Sequence, residues 1–106
     1  MTAQEILRDR LHVDSDAIAA FCRKWQIREL SLFGSALRDD FREDSDVDLL
    51  AVFEKDARWD LWNVMEMEEH LARMFGRPVD LVEKKAIVNP FRRHTILTTR
   101  QVLYAA

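Results

Sequence analysis

The sequence predicts an α+β domain, a small mixed β-sheet flanked by helices. Three observations predict it. Short apolar runs of strand length recur at 29–33, 47–53 and 78–82. Amphipathic helical stretches separate them. The chain has 106 residues, 48% of them hydrophobic and 33% charged, enough for one domain with a core.

The elements follow in order. Thr2 to Leu11 reads as a short helix with Ile6 and Leu7 inward. Asp14 or Ser15 caps the next, in which Ile18, Phe21, Cys22 and Trp25 recur at i, i+3, i+4 and i+7. Glu29 to Phe33 is the first strand, and Val47 to Phe53 the second and most apolar. The longest helix starts near Trp59 and ends at Met74 and Phe75. Its inward stripe is Leu61, Val64, Leu71 and Phe75, and Gly76 suits the position just past its C-terminus. Pro78 to Val82 is the third strand, its proline at the start where a missing N–H is tolerated. After Pro90, Phe91 to Leu97 reads as helix. Gln101 to Tyr104 forms an edge strand.

Composition excludes several classes. Two glycines and two prolines rule out collagen-like and linker architectures. The lone Cys22 rules out an intramolecular disulfide and a multi-cysteine zinc site. No apolar run approaches the ~20 residues of a membrane span, and the charged stretch from Met1 to Leu11 does not read as a signal peptide. A cytoplasmic protein with no membrane partner is expected. The net charge of -3 argues against a general nucleic-acid binder. Charge is nonetheless uneven. Six carboxylates fall between Asp39 and Asp48, whereas five Lys or Arg and no acid follow from Lys84 onward. A solvated face is the ordinary reading of such runs.

Some carboxylates resist that reading. Asp46 and Asp48 stand two apart at the entrance of the second strand, which puts both on one face, with Cα atoms roughly 6.6–6.8 Å apart. Carboxylates this close repel unless a cation lies between them, and hard oxygen ligands select Mg²⁺ or Mn²⁺. Asp80 interrupts the third strand between Val79 and Leu81. Should the second and third strands be neighbours, it completes a three-carboxylate cluster of the kind that holds two metals for in-line phosphoryl transfer. A turn at Asp46-x-Asp48 and an arginine salt bridge for Asp80 are the alternatives. Gly34-Ser35 follows the first strand directly. The glycine permits close backbone approach, and Ser35 is placed to cap a short helix over Ala36-Leu37-Arg38, whose N–H groups suit phosphate oxygens. It is not a P-loop, because the Gly-x-x-x-x-Gly-Lys spacing is missing.

Taken together, Gly34-Ser35, ten residues, then Asp46-x-Asp48 resembles the signature of the polymerase-β-like nucleotidyltransferase superfamily. Within it the chain looks most like the minimal nucleotidyltransferases (MNT), antitoxins that pair with HEPN-domain toxins in prokaryotes. Leu30 to Ser35, Asp44 to Leu50, Val79 to Val82, and Asn89-Pro90 followed by Val102-Leu103-Tyr104 carry the resemblance. It implies the polymerase-β-like fold as one minimal nucleotidyltransferase domain over 1–106, with N-terminal helices at 1–27 and the catalytic core at 28–106. It further implies that Gly34 and Ser35 hold the triphosphate of ATP. Asp46, Asp48 and Asp80 bind Mg²⁺ or Mn²⁺, and Asp80 helps deprotonate the acceptor. Arg38 and Arg42 fall where relatives often have arginines, for phosphate or partner contacts, a solvated role being the alternative. Ala36 and Asp39 depart from the pattern, where an arginine and a glycine are common.

The implied function is that of an antitoxin in a type VII-like toxin–antitoxin pair. The chain is expected to move AMP from ATP to a tyrosine of a cognate HEPN ribonuclease toxin and to form a hetero-oligomer with it. Trp62 and Met65 on the long helix are candidate interface residues, with peripheral core packing as the alternative. Two other readings stay open: neutralisation by binding and occlusion alone, and transfer to a small molecule such as an aminoglycoside.

Overall fold

The computed structural model describes residues 2–106. A first helical segment, α1 (Ala3–Glu5), is closed at its start by reciprocal hydrogen bonds between Thr2 and Glu5 and runs into a π-helical turn, Ile6–Arg10. Helix α2 (Ser15–Lys24) is capped by Asp14, whose carboxylate accepts from the Asp16 N–H at 2.9 Å. Strand β1 (Ile27–Phe33) leads into a single 3₁₀ turn, Gly34–Leu37, and then a loop to β2 (Val47–Phe53). Helix α3 (Leu61–Phe75) crosses to β3 (Val79–Glu83). A further 3₁₀ turn, Lys84–Ala86, precedes α4 (Pro90–Thr99) and β4 (Gln101–Ala105).

Among the described residues the strands form one mixed sheet in the order β3-β2-β1-β4. Strand β2 lies antiparallel to β1 and parallel to β3, and β4 closes the other edge antiparallel to β1. The sheet buries both faces. On one, α1 to α3 cover Leu30, Leu32, Val47, Leu49, Ala51, Leu81 and Leu103. On the other, a smaller cluster sets Ile87 and Ile96 against Phe33 and Leu50. The alternation of β2 explains this split: odd positions face the large core and even positions the small one. Asp48 therefore points to the α4 side.

The long helix differs from expectation in two respects. It begins at Leu61, not near Trp59, because Asp60 and Asn63 form a reciprocal cap at 3.0 and 2.9 Å. Trp59 instead packs edge-on against Trp25 and donates its indole N–H to the Trp25 carbonyl at 2.8 Å. Leu61 was expected inward but is 73% exposed. It lies on the first turn, and the buried stripe starts later, at Met67, Leu71 and Phe75. Gly76 ends the helix in the left-handed region (φ 68°), as its position suggested. The other differences are at element ends: β1 starts two residues before Glu29, β3 begins after Pro78, and α4 runs to Thr99. Glu68 on α3 accepts from the Leu81 N–H at 2.9 Å, which occupies a backbone donor on the edge strand β3. Leu71 has no exposed surface. Truncating it to alanine should cost about 2–5 kcal/mol and lower Tm by at least about 8 °C, measured by thermal unfolding.

Candidate active site

The site forms where β1 ends and the parallel strands β2 and β3 begin, on the α4 side of the sheet. Register brings its carboxylates together: Asp48 pairs with Asp80 across the parallel β2–β3 ladder, at the ~4.8 Å spacing of adjacent strands. On its other side Asp48 pairs with Phe33, the last residue of β1, so the chain enters Gly34 directly beside the Asp48 carboxylate. The approach is close. A Cβ on Gly34 would stand 2.6 Å from Asp48 Oδ2, and Gly34 sits at φ +69°. Glycine is required here on both counts.

Asp46 stands at the entrance of β2, one residue before Val47, as its position in the sequence predicts. Its carbonyl accepts the Ser35 hydroxyl at 2.8 Å. This bond corrects the role of Ser35. The serine is inside the 3₁₀ turn, whose N-cap is Phe33 with no side-chain bond, and its Oγ ties the turn to the residue that starts the carboxylate motif.

Electrostatics mark Asp48. Its pKa is raised above the usual carboxylate value, first by burial and then by the charge of Asp80, with a smaller push from Asp46. The Ser35 backbone N–H and the Arg92 charge pull the other way. The folded state thus holds this proton more tightly than the unfolded chain does. The contribution of Asp48 to stability is then fully present at low pH and is lost as pH rises through the window above 3.8. Asp48→Asn should accordingly raise Tm at neutral pH in buffer free of divalent ions, and the gain should vanish as pH falls towards 4 in a differential scanning series.

Among the described residues, no three His, Cys, Asp or Glu side chains stand ready as a metal cage. The donor set still fits a hard divalent cation. Asp48 and Asp80 set two carboxylates in register, burial and then the Asp80 charge raise the Asp48 pKa, and Asp46 adjoins them. Covalent catalysis by Cys22 is disfavoured. Burial pushes its thiol up to about 12, and it packs in the large core away from this face.

The remaining candidate residues lie at the surface. Arg38 is exposed and ion-paired to Asp40 at 3.2 Å. Arg42 is exposed, and its backbone rather than its side chain is engaged: its N–H donates to Ser45 Oγ at 3.0 Å. Trp62 and Met65 are 75% and 50% exposed on the outer face of α3.

Two arginines that the sequence reading missed hold the loop between Gly34 and Asp46. Arg10 Nη1 donates to the Ala36 and Arg38 carbonyls at 3.0 and 2.7 Å. Arg77 Nη1 donates to the Arg42 carbonyl at 2.9 Å and, more weakly, to that of Ser45 at 3.4 Å, while its guanidinium lies 4.8 Å from the Phe41 ring centre. Arg77 thereby links the residue before Asp46 to the strand that carries Asp80.

The comparisons with known proteins agree with this geometry. A family model described as a nucleotidyltransferase domain matches residues 15–103. The chain belongs to the nucleotidyltransferase family. This nucleotidyltransferase is similar to the protein adenylyltransferase MntA of Thermococcus cleftensis, with 38% identity over 81 residues covering 76% of this chain and 77% of that protein. A solved structure with the provisional description of minimal nucleotidyltransferase is 30% identical, with a TM-score of 0.68 and 94% of each chain covered. A chain of the solved complex of tri-AMPylated Shewanella oneidensis HEPN toxin with MNT antitoxin shares the fold, with 19% identity, a TM-score of 0.63, and 87% and 70% of the two chains covered. The expected minimal nucleotidyltransferase fold is thus borne out. Loosening the loop would displace Asp46 without removing it. Arg77→Met should lower kcat for nucleotidyl transfer about 10–100-fold with a smaller change in KM, and Arg77→Lys should recover part of the loss.

Proposed function

We propose that this nucleotidyltransferase is an antitoxin that transfers AMP from ATP to a tyrosine hydroxyl of a HEPN-domain toxin, and that it requires Mg²⁺ or Mn²⁺. The observation that carries the reading is the register of Asp48 against Asp80 beside the bare backbone of Gly34. The likeness to a protein adenylyltransferase supports the choice of a protein acceptor.

Asp46, Asp48 and Asp80 would hold the divalent ion. Bound there, it supplies neutralising charge to the phosphates and eases ionisation of the acceptor hydroxyl. The chain's own groups do the rest. Gly34 lets phosphate oxygens approach where a side chain would collide, and Ser35 fixes the turn that receives them. Arg92 contributes a positive charge facing Asp48. Asp80 takes the acceptor proton as the hydroxyl oxygen bonds to the α-phosphorus and the bond to pyrophosphate breaks. Transferred AMP would block the toxin by bulk and negative charge. The whole of 1–106 acts as one unit in this reading, since Arg10 of the N-terminal segment holds the turn of the core. The exposed Leu61, Trp62 and Met65 on α3 form the apolar surface assigned to the toxin.

Co-expression with the product of the neighbouring gene tests this. The wild type should restore growth, and the Asp46→Ala, Asp48→Ala double variant should not, although it still co-purifies with the toxin. Full rescue by the double variant would establish neutralisation by occlusion. Transfer of AMP to an aminoglycoside with no protein partner would replace the protein acceptor by a small molecule.

A further inference from the structure

The strand that carries Asp80 is an edge strand, with β2 on one side and, among the described residues, no strand on the other. Its backbone groups alternate in direction. The Pro78 carbonyl accepts from the Val47 N–H at 3.0 Å. Residues 78, 80 and 82 therefore present their backbone to β2, and residues 79, 81 and 83 present theirs outward. An outward N–H on an edge has no ladder partner. The Leu81 N–H is nonetheless bonded. Glu68 Oε2, on a helix and 13 residues away in sequence, accepts it at 2.9 Å.

That N–H belongs to the peptide bond between Asp80 and Leu81. A peptide is planar and rigid, so its two ends move together. Here the carbonyl end faces β2 and the N–H end is held by Glu68. The Asp80 Cα lies in the same plane, so the bond fixes the point from which the Asp80 carboxylate projects beside Asp48. A charged acceptor makes this one of the stronger kinds of hydrogen bond, and Glu68 is half-buried. Its neighbour Glu69 is an ordinary surface residue, exposed and ion-paired with Arg73 one turn on at 3.2 Å. Glu68 makes no such pair among the described residues, and its hydrogen bond goes to the strand.

We propose that Glu68 is a positioning residue for nucleotidyl transfer, holding the peptide that follows Asp80 and so setting the Asp80 carboxylate in register with Asp48. The proposal rests on the reading of Asp80 as a metal-holding and proton-accepting group. Glu68 lies on α3, across the sheet from the face to which Asp48 and Asp80 project, so it acts through the strand and touches neither ATP nor the acceptor.

Four variants separate this role from a structural one. Glu68→Gln keeps an acceptor oxygen at the same reach, Glu68→Asp shortens the side chain, Glu68→Leu removes the acceptor, and Glu69→Gln is the control. Three quantities are read: hydrogen exchange of the Leu81 amide in metal-free protein, direct binding of Mn²⁺, and kcat and KM for AMP transfer. Glu68→Leu and Glu68→Asp should speed Leu81 exchange at least about tenfold. Both should weaken Mn²⁺ binding about 10–100-fold and lower kcat by a similar factor, with a smaller change in KM for ATP. Glu68→Gln should stay within about threefold of wild type in all three, and Glu69→Gln should match wild type. Combined with Asp80→Asn, Glu68→Leu should weaken Mn²⁺ binding no further, because the two changes act on one group. Wild-type Mn²⁺ affinity and kcat in Glu68→Leu, an equal loss in Glu68→Gln, or a further loss on top of Asp80→Asn would overturn the proposal. Wild-type binding and transfer in Asp80→Asn would instead overturn the role of Asp80 itself, and the proposal with it.

Discussion

Asp48→Asn and Asp80→Asn should each reduce AMP transfer by at least about 10³-fold while leaving the fold intact. Both residues lie in register on neighbouring parallel strands, so neither can be replaced by a shift of the other. An asparagine has the same shape but no charge, and it cannot hold a divalent cation against competing water. Asp80→Asn also removes the group assigned to receive the acceptor proton. Initial rates of AMP incorporation, with Mg²⁺ titrated to saturation, check this. The thermal series on Asp48→Asn supplies the control: a variant that melts higher than wild type yet transfers nothing has lost chemistry, not structure.

Gly34→Ala should be nearly as damaging and should also lower stability. The added Cβ would meet Asp48 Oδ2 at 2.6 Å, closer than nonbonded atoms approach, in a backbone conformation that alanine resists. The left-handed conformation alone costs roughly 1–2 kcal/mol. The collision then turns the Asp48 carboxylate away from its neighbours, and transfer should fall about 10²-fold or more. Gly76→Ala separates the two effects. Gly76 has nearly the same φ, but a Cβ there meets nothing within 4 Å. It should lose stability of similar size and retain its transfer rate.

Much of this architecture was legible in the sequence. The bounds of β2 were readable because Val47 to Phe53 is an unbroken apolar run, and strand alternation placed Asp48 on the face opposite Val47, Leu49 and Ala51. Asp80 stood out as a charge inside an apolar strand, and its pairing with Asp48 followed once β3 lay next to β2. What was not legible depends on contacts distant in sequence. Arg10 reaches the turn from 26 residues away and Arg77 the loop from 35, and neither spacing leaves a local trace. Ser35 was read as a cap because the turn beside it looked like a helix start. The single 3₁₀ turn leaves its hydroxyl free to bind the Asp46 carbonyl. Leu61 fits the inward period of α3 but lies on a turn that the core does not reach, and periodicity alone does not show where a core stops.

The central claim is that the Gly34, Asp46, Asp48 and Asp80 constellation moves a nucleotidyl group onto a protein. Position-labelled ATP tests it most directly. The wild-type chain is mixed with the proposed HEPN toxin, Mg²⁺ and ATP carrying label at either the α- or the γ-phosphate. Label from the α-phosphate should appear on the toxin together with one pyrophosphate released per AMP added, and label from the γ-phosphate should not. Transfer of the γ label would make the site a kinase, and a stable complex that acquires neither label would contradict the account.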